Sequence, residues 1–582
     1  MREDVSQMKW WGWGDEHTEF DASDKPGLMP FISRALGLQE EDEQVVGPVA
    51  LEDVELPSQV LTQGFLDEMR SSLREDQVKT GDKERLVHSY GKSFRDLWRI
   101  RRGIVESSPD CVIYPESEDD ICALVKAALA HDVVLIPFGG GSNIAGCLEN
   151  RESNSRMVVS LDMKRMDRVV DVDADSCVAR IEGGTPGPVM EKQLNEQGFT
   201  LGHFPDSFEF STVGGWVATR SAGMQSDKYG KIEDMVLSLR MVTPSGVLVT
   251  RTVPKSSNGI DVNHICIGSE GILGVITEVS MRVHRLPERK EFYGYLFPDF
   301  ESGVRAVREC VDADCMPCIA RLNDPGKTAL SFAFKSKSGE TFFKKLLGKA
   351  VKKYLSAVKG FDMDKVCLMI MAVEGDSRTF RRLRSQVHSI YKKNGAFKLG
   401  ISPGRAFQKS KYDFPYLRDF AMDRGVVCDV SETSTIWSNL LPLYYSTIKS
   451  IEEAILSTGV QSFAGCHISH CYHTGTSLYF TFACMENGKG TIDQYLRIKK
   501  AAEDAFLRGG ATLSHHHAVG YEHAPWIEDD ISETGLLAVR AIKDGIDPAG
   551  VMNPGKILPG DRPLEDWGLA EDEAQESQEA GS

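Results

Sequence analysis

The sequence predicts an α+β protein of several lobes, with strands and helices grouped rather than strictly alternating. Three observations predict it. At 582 residues the chain exceeds what one hydrophobic core usually serves. Between about 105 and 287, short apolar runs are separated by Gly, Pro and Asp turns at strand spacing, without the regular strand–helix repeat of a doubly wound sheet. From 288 to 530 the pattern mixes helical stripes with further strands.

The N-terminal arm, 1–104, is helical. Val60, Leu61, Phe65, Leu66, Met69 and Leu73 recur at helical spacing. Ahead of them Met8-Lys9-Trp10-Trp11-Gly12-Trp13-Gly14 places three tryptophans in four positions, an aromatic anchor for the terminus. In the 105–287 domain, Cys111–Pro115 is a strand, Ser117 to Ala130 a helix, and Val133–Phe138 a buried strand. Met157–Leu161 and Cys177–Ile181 are strands, and Val189 to Gln197 is a helix. Met235–Val242 and Gly246–Thr250 form a hairpin around Thr243-Pro244-Ser245-Gly246. In the 288–530 domain, Glu340 to Lys359 is amphipathic. Phe343, Leu346, Leu347, Ala350, Val351, Tyr354 and Val358 lie on one face and six lysines crowd the rest. That is the pattern of a solvated helix with a core face, or of a helix drawn to an anionic membrane surface. A helix near Ile531 to Lys543 opens a C-terminal segment, 531–562, returning toward the earlier domain. The tail, 563–582, carries seven carboxylates in 20 residues, a composition that predicts disorder.

A net charge of -18 argues against nucleic acid as a partner. Thirteen scattered cysteines predict a reducing compartment rather than a disulfide framework. Cys315-Met316-Pro317-Cys318 lacks the second pair of a zinc ribbon and reads as core thiols. No apolar run reaches membrane-spanning length. Met1 to Trp13 lacks a signal-peptide layout, and Ala580-Gly581-Ser582 is not a peroxisomal tripeptide. The expected location is cytoplasmic or peripheral to a membrane, and peroxisomal if the source is eukaryotic.

After the apolar strand, Pro137-Phe138-Gly139-Gly140-Gly141-Ser142-Asn143 is not G-x-G-x-x-G and starts no helical stripe. Its glycines suit a nest of backbone N–H groups around a diphosphate. Two later segments share that small-residue character. One runs from Asp206-Ser207-Phe208-Glu209-Phe210-Ser211-Thr212 through Thr219-Arg220-Ser221-Ala222, and the other is Glu270-Gly271-Ile272-Leu273-Gly274-Val275-Ile276. Together the three resemble the two-lobed FAD-binding domain of the vanillyl-alcohol oxidase superfamily, which carries a mixed α/β substrate (cap) domain. The resemblance implies that these residues wrap FAD. The loop from Pro137 to Gly146 lacks the histidine or cysteine of covalent members, so FAD is expected to be non-covalent.

Seven of the fourteen histidines fall between 467 and 523. Such clustering suggests acid–base chemistry or a metal. On a strand His515 and His517 would point one way and His516 the other, which disfavours converging metal ligands, so no metal is assigned. His467 and His473 are the candidates for structural histidines.

Across nearly its whole length the chain also resembles the alkyldihydroxyacetonephosphate synthase family. The matching stretches are Met8–Gly14, Pro205–Thr212, Arg321-Leu322-Asn323-Asp324, Lys359-Gly360-Phe361-Asp362, Tyr416-Leu417-Arg418-Asp419, Leu478-Tyr479-Phe480 and Ser514-His515-His516-His517. The triplet discriminates, because related 2-hydroxyacid dehydrogenases tend to carry Gly-Glu-His there. The resemblance implies exchange of the acyl chain of acyl-dihydroxyacetone phosphate for a long-chain fatty alcohol, through an adduct at flavin N5. It implies Tyr479 as the catalytic residue, His515, His516 and His517 as its setting or as the base, and Arg418 and Arg321 as substrate ligands for phosphate. It also implies a homodimer. Asp547–Lys556 and Val519–His523 depart from the family's pattern, and the missing peroxisomal signal fits a bacterial homologue. The competing readings are an FAD-dependent 2-hydroxyacid (D-lactate-type) dehydrogenase and a flavin-retaining, membrane-associated binding protein.

Overall fold

The computed structural model describes residues 5, 8–38, 45–150, 155–334 and 349–559. Within them the chain is α+β, and four sheets carry the architecture. The predicted helix after Ser117 runs over Glu118–His131. The Ser117 hydroxyl accepts from the Asp120 N–H, Glu118, Asp119 and Asp120 fill the first turn, and Asp132 ends the helix with a left-handed backbone. β1 (Val134–Phe138) follows and pairs in parallel with Val158–Asp162 in a four-stranded sheet. The free edge of β1 is covered by the end of the chain. Leu135 N–H donates to the Val551 carbonyl at 2.8 Å, and Asn553 N–H donates to the Leu135 carbonyl at 2.9 Å. Covered on both faces and both edges, β1 reads as an uninterrupted apolar run.

A five-stranded antiparallel sheet holds the predicted hairpin, Val236–Thr243 with Gly246–Val249. The predicted helices at 59–73 and 189–197 occur as Gln63–Ser72 and Gly187–Asn195. The helix expected at Ile531 to Lys543 is broken at Ser532. Its left-handed φ of 70° separates Ile527–Ile531 from Glu533–Ile546, and its hydroxyl caps the second helix.

The large antiparallel sheet has seven strands and supplies the face that matters here. α1 (Leu28–Leu36) lies against it. So does α2 (Pro325–Ala333), which follows β2 (Ile319–Asn323) directly. α3 (Phe414–Met422) packs on β3 (Val426–Ile436). The strand order continues β2, β4 (Phe463–Ile468), β5 (Gly475–Met485), β3.

The tryptophan anchor is tied to α3. Trp10 and Trp13 are buried, and the Trp13 N–H donates to Asp419 Oδ2 at 2.9 Å. A Cβ on Gly12 would fall 2.3 Å from the same carboxylate, so glycine permits that approach. Cys315 and Cys318 are buried free thiols. Of the lysine-rich stretch, Lys349–Lys359 is helical; the expectations for 340–348 and for the acidic tail lie outside the described residues. Among its residues of described burial, 353–359, Leu355 is buried, whereas Tyr354 and Val358, read as core-facing, are exposed. That corrects the reading for Tyr354 and Val358, because the body meets this part of the helix at Leu355 instead.

Candidate active site

Antiparallel register decides what stands beside Tyr479. On β5 it is paired with Glu432 of β3 on one side and His467 of β4 on the other. Directly paired residues share a face, so all three point the same way. Every second residue continues that face: Thr481 and Ala483 on β5, Val430 and Cys428 on β3, all lining one deep cavity. The cavity grades from polar at Tyr479 to apolar at Phe463, Ala483 and Leu417, ending on Leu28, Phe31, Ile32 and Leu36 of α1.

The histidine triplet is not a strand. Residues 514–517 form a bend wrapped around one buried carboxylate. Glu432 Oε1 accepts from the Ser514 hydroxyl at 2.6 Å and from the N–H groups of His515, His516 and His517 at 2.9–3.0 Å. His516 Nδ1 lies 3.1 Å from Oε2. The alternation expected for a strand therefore does not apply, because a shared acceptor orients all three backbones. Burial alone would raise the Glu432 carboxyl, but His516 and His517 outweigh it and hold it well below the usual range.

His516 and His517 line the cavity and flank the Tyr479 ring at 5.9 and 5.3 Å between centroids. His515 turns away, its Nε2 2.5 Å from the Tyr472 hydroxyl. His467, expected to be structural, lines the cavity 4.7 Å from the Tyr479 ring, while His473 is exposed. Among the described residues one group has metal-ligand spacing, His470, His515 and His516, whose ring nitrogens lie within 4.8 Å of one another.

The cofactor segments meet at the other end of the cavity. Pro137 to Asn143, Asp206, Ser207, Ser211, Thr212, Thr219, Ser221, Ala222, Glu270, Gly271, Gly274, Val275 and Ile276 line it. The N–H groups of Gly140, Gly141, Ser142 and Asn143 find no acceptor among the described residues, and the loop is not helical. Consecutive unpaired donors on a cavity wall fit a diphosphate. A Cβ on Gly140 would lie 1.9 Å from the Phe210 carbonyl oxygen, so this glycine lets two cofactor loops touch. Phe208, Ile272 and Leu273 are packed in a core, Glu209 is exposed, and Phe210 and Arg220 also stand outside the cavity lining. Glu270 has a structural use. Its carboxylate accepts from Val519 N–H at 2.8 Å and Gly520 N–H at 2.7 Å, tying the cofactor loop to the chain just after the triplet. Asn143 Nδ2, 3.4 Å from the His517 carbonyl, makes a second tie.

Arg418 and Arg321 both line the cavity but differ in freedom. Arg418 donates to Asp429 Oδ1 and to the Lys92 carbonyl, each at 2.6 Å. The Arg321 side chain has no hydrogen bond or ion pair among the described residues; its guanidinium sits 5.8 Å from the rings of Phe407 and Phe414.

Two family models match the chain. The FAD binding domain family matches residues 109–252, and the C-terminal domain of FAD linked oxidases matches 286–557. The alkyldihydroxyacetonephosphate synthase of Dictyostelium discoideum is 40% identical over 95% of this chain and 94% of its own length. That of Trypanosoma brucei brucei is 39% identical over 95% and 92%. The chain belongs to the alkyldihydroxyacetonephosphate synthase family. A solved alkyldihydroxyacetonephosphate synthase superposes with a TM-score of 0.81 at 38% identity, covering 95% of this chain and all of that one. A p-cresol methylhydroxylase shares the fold at 14% identity, with a TM-score of 0.60. As in that family, FAD is the cofactor.

Sequence reasoning missed Glu432, Asp429 and Lys327. Only Lys327 left a trace, three residues into a helix opened by Asp324-Pro325. Burial holds His467, His470, His515 and His517 well below the ordinary imidazole value, because desolvation penalises the cation. All four are therefore expected to stay neutral as pH falls from 7 to 5. 15N-histidine spectra check this, and imidazolium shifts at pH 6 from any of them would contradict it.

Proposed function

We propose that this protein exchanges the acyl chain of acyl-dihydroxyacetone phosphate for a long-chain fatty alcohol. The observation that carries the reading is one cavity joining the diphosphate nest, the Tyr479–His516–His517 group, two arginines and an apolar limb ending on α1. A phosphate ester with a long chain needs cations at one end and apolar walls at the other. When bound, FAD supplies a nucleophilic ring nitrogen toward the carbon that loses its carboxylate. The chain's own residues do the rest. Burial raises the Tyr479 phenol, Asp206 adds to this, and Arg418 and Arg321 oppose it, so the resting side chain is neutral and able to donate. The His516–His517 pair, which flanks the Tyr479 ring, is the group placed to take a proton from the entering alcohol. The apolar limb excludes water, which would otherwise compete with that alcohol. Mass-spectrometric analysis after incubation with acyl-dihydroxyacetone phosphate and hexadecanol tests this. The alkyl ether and the free fatty acid are expected in equal amounts, and fatty acid without ether would refute the transfer.

The FAD is held without a covalent bond in this reading. Cys147, the thiol nearest the loop, donates to Glu270 Oε2 at 3.1 Å and is pushed well above its usual pKa by burial and Glu270. Acid precipitation is expected to release intact FAD, and flavin retained on the denatured chain would contradict this. Two further elements complete the proposal, a homodimer and peripheral membrane contact. No helix among the described residues is long and apolar enough to cross a membrane. Lys349–Lys359 instead exposes Tyr354 and Val358 beside Lys353 and Lys359. Each lysine adds about 1 kcal/mol near an anionic surface. Replacing Lys353 and Lys359 by Gln is expected to reduce sedimentation with anionic vesicles at low salt, and equal sedimentation would remove this helix from the membrane contact.

A further inference from the structure

Lys327 is buried, yet it lacks an ion pair among the described residues. Its Nζ donates to the Thr481 hydroxyl at 2.7 Å, which leaves two ammonium protons without a hydrogen-bond partner. The nearest carboxylate in sequence, Asp324, is already engaged. It caps α2 by accepting the Lys327 N–H at 2.8 Å and accepts the Tyr444 hydroxyl at 3.0 Å. Asp206 shares the cavity but closes no ion pair with Lys327. A buried cation without an ion pair costs stability, and the Phe414 ring at 5.7 Å and the charges of Asp324 and Asp206 offset that cost only in part.

The placement is built. A Cβ on Gly465 would come within 2.9 Å of the Lys327 backbone nitrogen and 3.1 Å of its Cγ. Glycine at that position lets the lysine stem cross β4 and reach Thr481 on β5. Thr481 lies two residues beyond Tyr479 on the same face. Arg321, on β2, is the second cation here. Burial and the Arg321 charge together push Lys327 down to about 7. His467, whose Nδ1 is buried without a partner, feels both charges, and each helps push its imidazole down. Two unpaired cations that repel each other across a cavity fit a dianion, and a phosphate monoester carries nearly two negative charges at neutral pH.

We propose that Lys327, together with Arg321, holds the phosphate of the phosphoester substrate. Arg418, spent on Asp429 and Lys92, then shapes the pocket. This rests on the transferase reading given above. The phosphate is placed beside Tyr479 rather than at the diphosphate nest, so FAD does not depend on Lys327.

Lys327→Met and Lys327→Arg test it, with FAD content and melting temperature measured first. The methionine variant is expected to keep FAD and to melt at the same or a higher temperature, because a lone buried charge is gone. Its KM for acyl-dihydroxyacetone phosphate should rise at least tenfold, with KM for hexadecanol unchanged, and arginine should recover most of the loss. An unchanged KM for the phosphoester, or loss of FAD from either variant, would overturn the assignment. Titration of the holoenzyme with dihydroxyacetone phosphate, read by flavin absorbance, separates this from the reading beneath it. If the wild type forms no ether, binding that weakens in Lys327→Met still supports the phosphate site, while equal or absent binding overturns it. Inorganic phosphate competing as strongly as dihydroxyacetone phosphate would assign the pocket to the free ion and also overturn it.

Discussion

Tyr479→Phe is expected to keep FAD and stability while losing ether formation by about 10²–10⁴-fold, the usual worth of a positioned proton donor or acceptor. Only a hydroxyl is removed, and among the described residues that hydroxyl has no protein partner whose loss would disturb packing. The ring keeps its neighbours His467, His516 and His517. Turnover and flavin absorbance on one preparation decide the matter. A phenylalanine variant with near wild-type turnover would return Tyr479 to the role of a cavity-lining aromatic.

Glu432→Gln is expected to abolish activity and also to destabilise the protein, by roughly 3–5 kcal/mol as for other broken buried charge networks. One carboxylate oxygen collects four donors from Ser514, His515, His516 and His517. An amide can present one oxygen, and its NH2 would face donors or imidazole nitrogens already in place. The bend should then open and move His516 and His517 away from Tyr479. Denaturant unfolding with a turnover assay reads both effects. A glutamine variant as stable and as active as the parent would show that the backbone bend holds without the charge.

These residues differ in how visible they are to sequence reading. The apolar run at 133–138, its glycines and the small-residue segments at 206–222 and 270–276 are legible, because a diphosphate nest needs consecutive donors and no bulk. The elements of the 105–287 region are legible for the same local reason: period, caps and turns are properties of neighbouring residues. The triplet was visible as composition but misread as a strand, because its shape is set by a carboxylate some eighty positions earlier in the chain. Tyr354 and Val358 were misread because periodicity shows that a helix has an apolar stripe but not which stripe the body meets.

By itself the sequence determined the α+β class, the flavin loops and the resemblance that singled out Tyr479, Arg418, Arg321 and the histidines. Tertiary structure decided which of them share a surface. Strand register places Glu432 and His467 on either side of Tyr479. It gives Arg418 a counter-ion in Asp429 and leaves Arg321 without one. It also carries Lys327 across Gly465 into the cavity. Charge pairing and burial depend on residues that different elements bring together, from Arg418 and Asp429, 11 positions apart, to Lys327 and Thr481, 154 apart, and no local pattern records those partners.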